Sequence, residues 1–251
     1  MKIFGVNAQW LDESILPPLI TAAEQLAVDE AMLNEAEKGL LQNSVVRTWQ
    51  AATPVVVLGS SSELLREVNY DACKRLKIPI LRRPSGGATV ILGPGCVMWS
   101  IVIPLENVPP LETIHTSILD PLAATLSAEG PEVFREGTSD LVVRVASGMK
   151  KISGNALRVR RQSVLYHGTL LDEFPLELVG QLLRHPPREP EYRHQRSHTD
   201  FLTNLSLGRE QIDKAVRTAF AAWGTKTTWP HQQVQQLVES RYGQISWTER
   251  L

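Results

Sequence analysis

The fold is decided by the stretch Lys150-Lys151-Ile152-Ser153-Gly154-Asn155-Ala156, which a polar run connects to Tyr166-His167-Gly168-Thr169-Leu170-Leu171. Each segment has the composition of a β-strand and places polar side chains beside a glycine, so the pair is predicted to form a hairpin. Successive side chains of a strand point to opposite faces, so Lys150 and Lys151 do not both enter one site. The hairpin therefore carries one active-site lysine.

A second cluster lies upstream at Arg82-Arg83-Pro84-Ser85-Gly86-Gly87-Ala88-Thr89-Val90, at the end of a predicted strand. Glycines let a ligand approach the main chain and leave N–H groups free to bind an anionic oxygen. Arginine supplies a planar fork for an anion, while lysine supplies a mobile charge that can follow charge developing during acyl transfer. The two clusters together predict a site for a phosphate or a carboxylate.

Each motif also has a purely structural interpretation. Ser-Gly-Gly is a common tight connection between strands, a single histidine such as His167 more often holds a structural hydrogen bond, and most lysines are solvated. The combination of the three motifs in one chain is much more specific than any of them alone.

These motifs, in this order, resemble the catalytic domain of lipoate-protein ligases and octanoyltransferases, in the superfamily that includes biotin-protein ligases. The resemblance also includes residues 25–31, 47–50 and 56–59, so it spans residues 20–172. It implies an α/β fold of the α+β type, with a central, mainly antiparallel or mixed sheet flanked by helices.

The resemblance implies an ATP-dependent ligase. Lipoate or octanoate is activated as an acyl-adenylate with ATP and Mg²⁺, and the acyl group is then transferred to a lysine of a lipoyl carrier domain. The expected carrier is of the 2-oxoacid dehydrogenase E2 or glycine-cleavage H type. Lys151 takes the catalytic position before the Ile-Ser-Gly segment. Asp140 resembles the acidic residue beside the nucleotide phosphates, where a carboxylate could hold Mg²⁺.

The resemblance also implies which residues bind the acyl chain and which bind the acid or the nucleotide. Leu26 and Trp49 are expected to line an acyl pocket. The residues expected to contact the acid or the nucleotide are Arg83, Ser85, Gly86, Gly87, Ala88, Thr89, Val90, Cys96, Asp140, Ser153, Gly154, His167, Gly168 and Thr169.

The sequence departs from the family pattern at two positions that flank the nucleotide and acyl sites. Leu92 stands where a histidine is usual, and Cys96 stands where an asparagine is usual. A Cys96 thiolate near Arg83 and Lys151 would have a lowered pKa and could carry an acyl group, whereas packing in a turn is its simpler interpretation. An ATP-independent octanoyl or lipoyl transferase therefore stays an alternative, as does a non-catalytic acyl- or nucleotide-binding module on the same fold.

Composition limits the partners and the location of the protein. Twenty-six Lys and Arg against 27 Asp and Glu leave a formal net charge of -1, which does not favour nucleic acid or membrane binding. The sequence has no apolar signal or membrane-spanning run and only two cysteines, so a cytoplasmic location is expected. Residues 1–251 are predicted to form a single catalytic domain without a C-terminal accessory domain, which a separate accessory subunit could replace.

Periodicity predicts helices over residues 17–39, 64–76, 210–223 and 232–242. Residues 184–200 are instead crowded with proline, arginine and histidine. This basic loop is predicted to be a solvated connection, a clamp over the site or a landing surface for an acidic acceptor.

Overall fold

The computed structural model describes residues 8–12 and 21–251. The strands within these residues are β1 (Gln9–Trp10), β2 (Val45–Trp49), β3 (Val55–Leu58), β4 (Ile80–Arg82), β5 (Val90–Leu92), β6 (Cys96–Pro104), β7 (Val133–Glu136), β8 (Asp140–Val145), β9 (Gly148–Val159), β10 (Ser163–Leu171) and β11 (Gly224–Thr225). The helices are α1 (Ala22–Glu37), α2 (Leu64–Glu67), α3 (Tyr70–Arg75), α4 (Leu111–Glu129), α5 (Glu177–Leu182), α6 (His198–Phe201), α7 (Arg209–Ala219), α8 (His231–Leu237) and α9 (Ile245–Thr248).

Eight strands form one mixed sheet in the order β11-β1-β2-β6-β10-β9-β8-β7. β1 is parallel to both of its neighbours, and the other neighbouring strands are antiparallel. A smaller sheet has the order β4-β3-β5. The mainly antiparallel sheet flanked by helices confirms the predicted fold class.

Helices cover both faces of the large sheet. The alternating side chains of its central strands are therefore buried on both sides. Met98 and Val102 of β6 belong to the cluster that contains α1 and the small sheet. Trp99 and Ile101 belong to the opposite cluster, which contains α4 and α7. Within the described residues, no helix is both long enough and apolar enough to span a membrane.

The predicted hairpin is formed by β9 and β10, which pair antiparallel with Gly168 opposite Asn155. On its other side, β9 pairs with β8, and the register shifts between Leu141 and Val142. Asp140, the first residue of β8, lies opposite Gly154. The sheet thereby places Asp140 on β8, Lys151 on β9 and His167 on β10, which are neighbouring strands.

Several helix boundaries differ from the periodicity. The predicted helix over residues 64–76 is broken into α2 and α3, because Val68 is extended and bridges Leu183, while the Asn69 side chain caps α3. The first predicted helix begins at Ala22, where Thr21 and Glu24 form a capping box. Its predicted start over residues 17–20 lies outside the described residues. Of the two closing helices, α7 ends at Ala219 and α8 at Leu237, followed by a π-helical turn over Val238–Tyr242.

Candidate active site

A cavity of about 440 Å³ lies between the β9–β10 hairpin, the glycine-rich segment and residues 184–203. We call residues 184–203 the covering segment, because several of its side chains close the cavity from outside. It contains a 3₁₀ turn over Glu191–Arg193 and the short helix α6. The basic loop predicted for residues 184–200 is therefore ordered over the cavity.

The predicted site residues divide into two groups. Those that line the cavity are Leu26, Arg83, Gly87, Ala88, Thr89, Val90, Asp140, Lys151, Ser153, Gly154, His167, Gly168 and Thr169. Trp49, Ser85, Gly86 and Cys96 are not on its wall. The fold therefore brings most of three sequence-distant motifs to one cavity.

Lys151 forms an ion pair with Asp140 inside the cavity. Its ammonium Nζ lies 2.7 Å from Asp140 Oδ1, and the two side chains are 23% and 14% exposed. The hydroxyl of Tyr192, from the covering segment, donates to Asp140 Oδ2 over 2.8 Å. Burial and the Asp140 carboxylate raise the pKa of Tyr192, so its hydroxyl stays a donor at neutral pH.

Two glycines of the hairpin have close neighbours that an added Cβ would meet. A Cβ at Gly168 would lie 1.7 Å from Asn155 Oδ1. The Asn155 side chain also links β9 to the turn before β8, because its Nδ2 donates to the Ser139 carbonyl over 2.7 Å. A Cβ at Gly154 would lie 3.1 Å from both Cε and Nζ of Lys151. The absence of a side chain at Gly154 therefore leaves room for the lysine to lie across its own strand.

Arg83 was expected to bind the substrate anion, but its guanidinium points into its own loop. Nη2 donates to the carbonyls of Gly86 and Ala88, Nη1 to that of Val57, and Nε to Ser85 Oγ. Burial lowers the pKa of Arg83 to about 10, so it stays charged at neutral pH. Its role in this structure is to hold the glycine-rich segment in shape.

Other buried contacts fix the same segment. Gly87 has φ +86°, and a Cβ at Gly59 would lie 1.9 Å from the Gly87 carbonyl oxygen, so the two glycine turns fit only without side chains. The buried Glu67 carboxylate accepts from both the backbone N–H and the hydroxyl of Thr89, over 3.0 and 2.7 Å. The cavity wall around Gly87 to Thr89 is therefore preorganised.

His167 lies under the cavity and connects the glycine-rich segment to α1. Its Nε2 is 2.6 Å from Ser85 Oγ, and its Nδ1 is 3.8 Å from Asp29 Oδ2. Burial lowers the pKa of His167, which keeps the imidazole neutral at pH 7. Ser85 is thus a partner of His167 and Arg83 rather than a wall residue.

Part of the cavity wall consists of buried apolar side chains. Leu26, Leu92, Met98 and Phe174 are among the side chains that line it. Leu92, the residue in place of the usual histidine, therefore adds to the apolar wall. Trp49 was expected there, but it lies on the large sheet in the buried cluster of α1 and is outside the cavity.

Cys96 does not have the properties of a nucleophile. It is fully buried at the start of β6, and burial raises the pKa of its thiol to about 12. Cys73, the other cysteine of the sequence, is buried on α3 and lines a different cavity. Neither cysteine lies on the wall of the cavity that contains Lys151, and the raised pKa of Cys96 contradicts the predicted thiolate.

No sequence motif identified Tyr192 or Arg188 as an individual site residue. Arg188 lines the cavity, is exposed, and makes no ion pair or hydrogen bond within residues 8–12 and 21–251. Tyr192 lies 52 positions from Asp140 along the chain. The only signal for either residue was their position in the proline- and arginine-rich loop.

The described residues contain no group of three or more His, Cys, Asp or Glu side chains that could hold a metal. Asp140 is a single carboxylate on the cavity wall. One carboxylate fits Mg²⁺ that arrives on a nucleotide, because this ion is commonly held by one or two carboxylates together with phosphate oxygens.

A family model described as the lipoyl protein ligase A/B catalytic domain matches residues 21–222. An archaeal bipartite lipoate protein ligase from Thermoplasma acidophilum, studied with its E2 lipoyl domain, has a TM-score of 0.79 at 18% identity, covering 97% of this chain and 96% of that chain. A T. acidophilum protein assigned as a lipoate protein ligase, with bound lipoic acid, has a TM-score of 0.78 at 19% identity, covering 98% and 99%. An ATP-bound lipoate-protein ligase A has a TM-score of 0.76 at 17% identity, covering 97% and 98%.

Proposed function

This chain belongs to the lipoyl protein ligase A/B catalytic-domain family, and on that premise we propose that it is an ATP-dependent lipoate-protein ligase. It activates lipoate or octanoate as an acyl-adenylate and transfers the acyl group to a lysine of a carrier domain. The observation that carries the proposal is the position of Lys151, whose ammonium lies in a cavity with both apolar and glycine-lined polar parts to its wall.

In the first step, a carboxylate oxygen of the acid attacks the α-phosphorus of ATP, and pyrophosphate leaves. The apolar part of the cavity wall holds the acyl chain, which places the carboxylate near Lys151. The ammonium of Lys151 then offsets the negative charge of the carboxylate and of the phosphate oxygens as the new P–O bond forms. The lipoic acid and ATP bound to the two similar structures support this pair of substrates.

The polar part of the wall offers two kinds of contact for the nucleotide. The main chain around Gly87 is bare and fixed in shape, so its N–H groups are suited to phosphate oxygens. The Arg188 guanidinium has no partner within residues 8–12 and 21–251, whereas Arg83 uses its donors internally. Asp140 would hold Mg²⁺ brought by ATP, which supplies charge neutralisation at the phosphates.

In the second step, the ε-amine of a carrier lysine attacks the acyl carbon, an amide forms and AMP leaves. The archaeal ligase was studied with its E2 lipoyl domain, which supports a lipoyl domain of the E2 or glycine-cleavage H type as acceptor. That ligase is also bipartite, which supports extending the proposal to a separate accessory subunit as a further partner.

A transferase that passes the acyl group through an enzyme cysteine is less consistent with the site. Cys73 and Cys96 are both buried and both lie off the cavity wall. Formation of an acyl-thioester on either thiol would require the surrounding core to open. The ligase reaction needs no enzyme thiol.

The test is pyrophosphate release by the purified protein with ATP, Mg²⁺ and lipoate or octanoate. Release should depend on the acid and fall at least a hundredfold in Lys151→Ala, because a transition-state charge contact is lost. Lys150→Ala is the matched control, since Lys150 is the neighbouring residue of the same strand but is off the cavity wall. Equal rates in Lys151→Ala and Lys150→Ala would refute the proposed role of Lys151.

A further inference from the structure

The covering segment is fixed to β9 on both sides of the catalytic lysine. Arg196 Nη1 donates to the Met149 carbonyl over 2.9 Å, and the Thr203 N–H donates to the Lys151 carbonyl over 3.0 Å. These bonds place the 3₁₀ turn that carries Tyr192 above the start of β8. The segment and the lysine strand are therefore one packed unit.

Packing on two sides of the Tyr192 ring determines where its hydroxyl points. Its ring packs on Phe201 with the ring centres 5.2 Å apart, and the Arg193 guanidinium lies 4.8 Å from the centre of the same Phe201 ring. On the other side, Gly137 has φ +58°, and a Cβ there would lie 3.6 Å from Tyr192 Cε1. The ring is held by packing, and its hydroxyl meets Asp140 Oδ2.

A carboxylate has a broad terminal torsion, so an ion pair alone does not fix the direction of its two oxygens. In Asp140 each oxygen has a different partner, with the Tyr192 hydroxyl on Oδ2 and the Lys151 ammonium on Oδ1. The bond on Oδ2 therefore selects the rotation at which Oδ1 faces Lys151.

We propose that Tyr192 is a positioning residue that fixes the Asp140 carboxylate and thereby couples the seating of the covering segment to the position of the Lys151 ammonium. The catalytic meaning of this role rests on the proposed function. The geometric role does not, since it concerns only how firmly the lysine is held.

The first test measures the reactivity of Lys151 without using catalysis. Wild type, Tyr192→Phe, Asp140→Asn and the double variant are pulsed with acetic anhydride, and acetylation of Lys151 is compared with that of Lys150 by peptide mass spectrometry. Tyr192→Phe keeps the ring packing and removes the hydroxyl. We expect Lys151 labelling to rise severalfold in Tyr192→Phe while Lys150 labelling stays constant.

The double variant separates positioning from general loosening. If Tyr192 acts through Asp140, adding Tyr192→Phe to Asp140→Asn gives no further increase in Lys151 labelling, because residues that act through a shared contact are non-additive. Unchanged labelling in Tyr192→Phe, or multiplicative effects in the double variant, would overturn the proposal. Tyr70→Phe, in a tyrosine that lines a different cavity, is the control and should leave the labelling ratio unchanged.

The second test uses pyrophosphate release. Tyr192→Phe should lower kcat about tenfold or more, with the KM for the acid unchanged within about twofold, because Asp140 loses the hydrogen bond that orients it toward Lys151. A rise in KM without a change in kcat would contradict this role. If the wild type releases no pyrophosphate, the proposed function fails, and the labelling ratios still decide whether Tyr192 positions Lys151.

Discussion

Arg83 Nη2 lies 2.9 Å from the Ala88 carbonyl oxygen, so the guanidinium at the head of the glycine-rich segment stabilises its own loop. The same side chain reaches Val57 and Gly86. Arg83 therefore contributes to the stability of the site, and its guanidinium donors are used within the protein.

Replacing Arg83 by alanine should lower the free energy of unfolding by about 3 kcal/mol, because several buried acceptors would lose a charged donor together. Urea unfolding measures this change. Arg75→Ala is the control, since Arg75 is exposed in the last turn of α3 and should change stability by less than about 0.5 kcal/mol. Similar unfolding midpoints for the two variants would contradict the structural role of Arg83.

For Arg188 we expect an effect on ATP binding and none on stability. Its replacement by alanine should leave stability unchanged and raise the KM for ATP about tenfold or more, because one charge-assisted contact to phosphate is lost. The KM for lipoate should stay the same. Arg184→Ala is the matched control, because Arg184 is exposed, in the same segment and outside the cavity wall. An unchanged KM for ATP in Arg188→Ala would exclude this contact.

Gly154→Ala should displace the Lys151 ammonium while preserving the fold. The added methyl would lie 3.1 Å from the mobile end of that lysine, and a flexible side chain can move aside. Pyrophosphate release should fall about tenfold or more, whereas the thermal midpoint should change by only a few degrees. Gly180→Ala, in α5 with open space around the added Cβ, should affect neither. Full activity in Gly154→Ala would show that the position of Lys151 is not constrained there.

His167 makes stability depend on pH. Burial lowers the pKa of His167 in the folded state, while in the unfolded chain it titrates near the ordinary value of about 6.5. Below that pH the unfolded state binds a proton that the folded state does not, so stability falls as the pH falls, by at most about 1.4 kcal/mol per pH unit.

His167→Gln removes this contribution, so its free energy of unfolding should change less between pH 7 and pH 5 than that of the wild type. His115 and His198, whose pKa values are also lowered by burial, leave a residual slope of the same sign. Urea unfolding at several pH values measures both slopes. Parallel curves for the two proteins would show that His167 is not the titrating group.

Much of the sheet could be predicted because its signals are local. The two strand-like segments around Lys151 and His167, each with polar residues beside a glycine, correctly located the hairpin. The helix predicted over residues 64–76 failed because periodicity does not register the bridge between Val68 and Leu183, a contact formed across the fold. Tertiary pairing overrode local periodicity there.

The motifs that form the site could be predicted from the sequence, but the orientations of their side chains could not. The sequence places Arg83 beside glycines, yet whether its guanidinium points to a ligand or to the Val57 carbonyl depends on the packing of β3. Trp49 was expected on the pocket wall from the resemblance and from its apolar side chain, but it does not line the cavity. The pairing of Tyr192 with Asp140 joins distant segments and has no local sequence signal.

Activation of the acid by adenylation at Lys151 is tested most directly with octanoate that carries ¹⁸O in both carboxyl oxygens. The reaction contains ATP, Mg²⁺ and hydroxylamine as the acceptor. Attack of the carboxylate on the α-phosphorus followed by acyl transfer predicts octanoyl hydroxamate and AMP containing one ¹⁸O, both lost in Lys151→Ala. Octanoyl hydroxamate formed without labelled AMP would contradict the account and indicate an acyl transfer that does not use ATP.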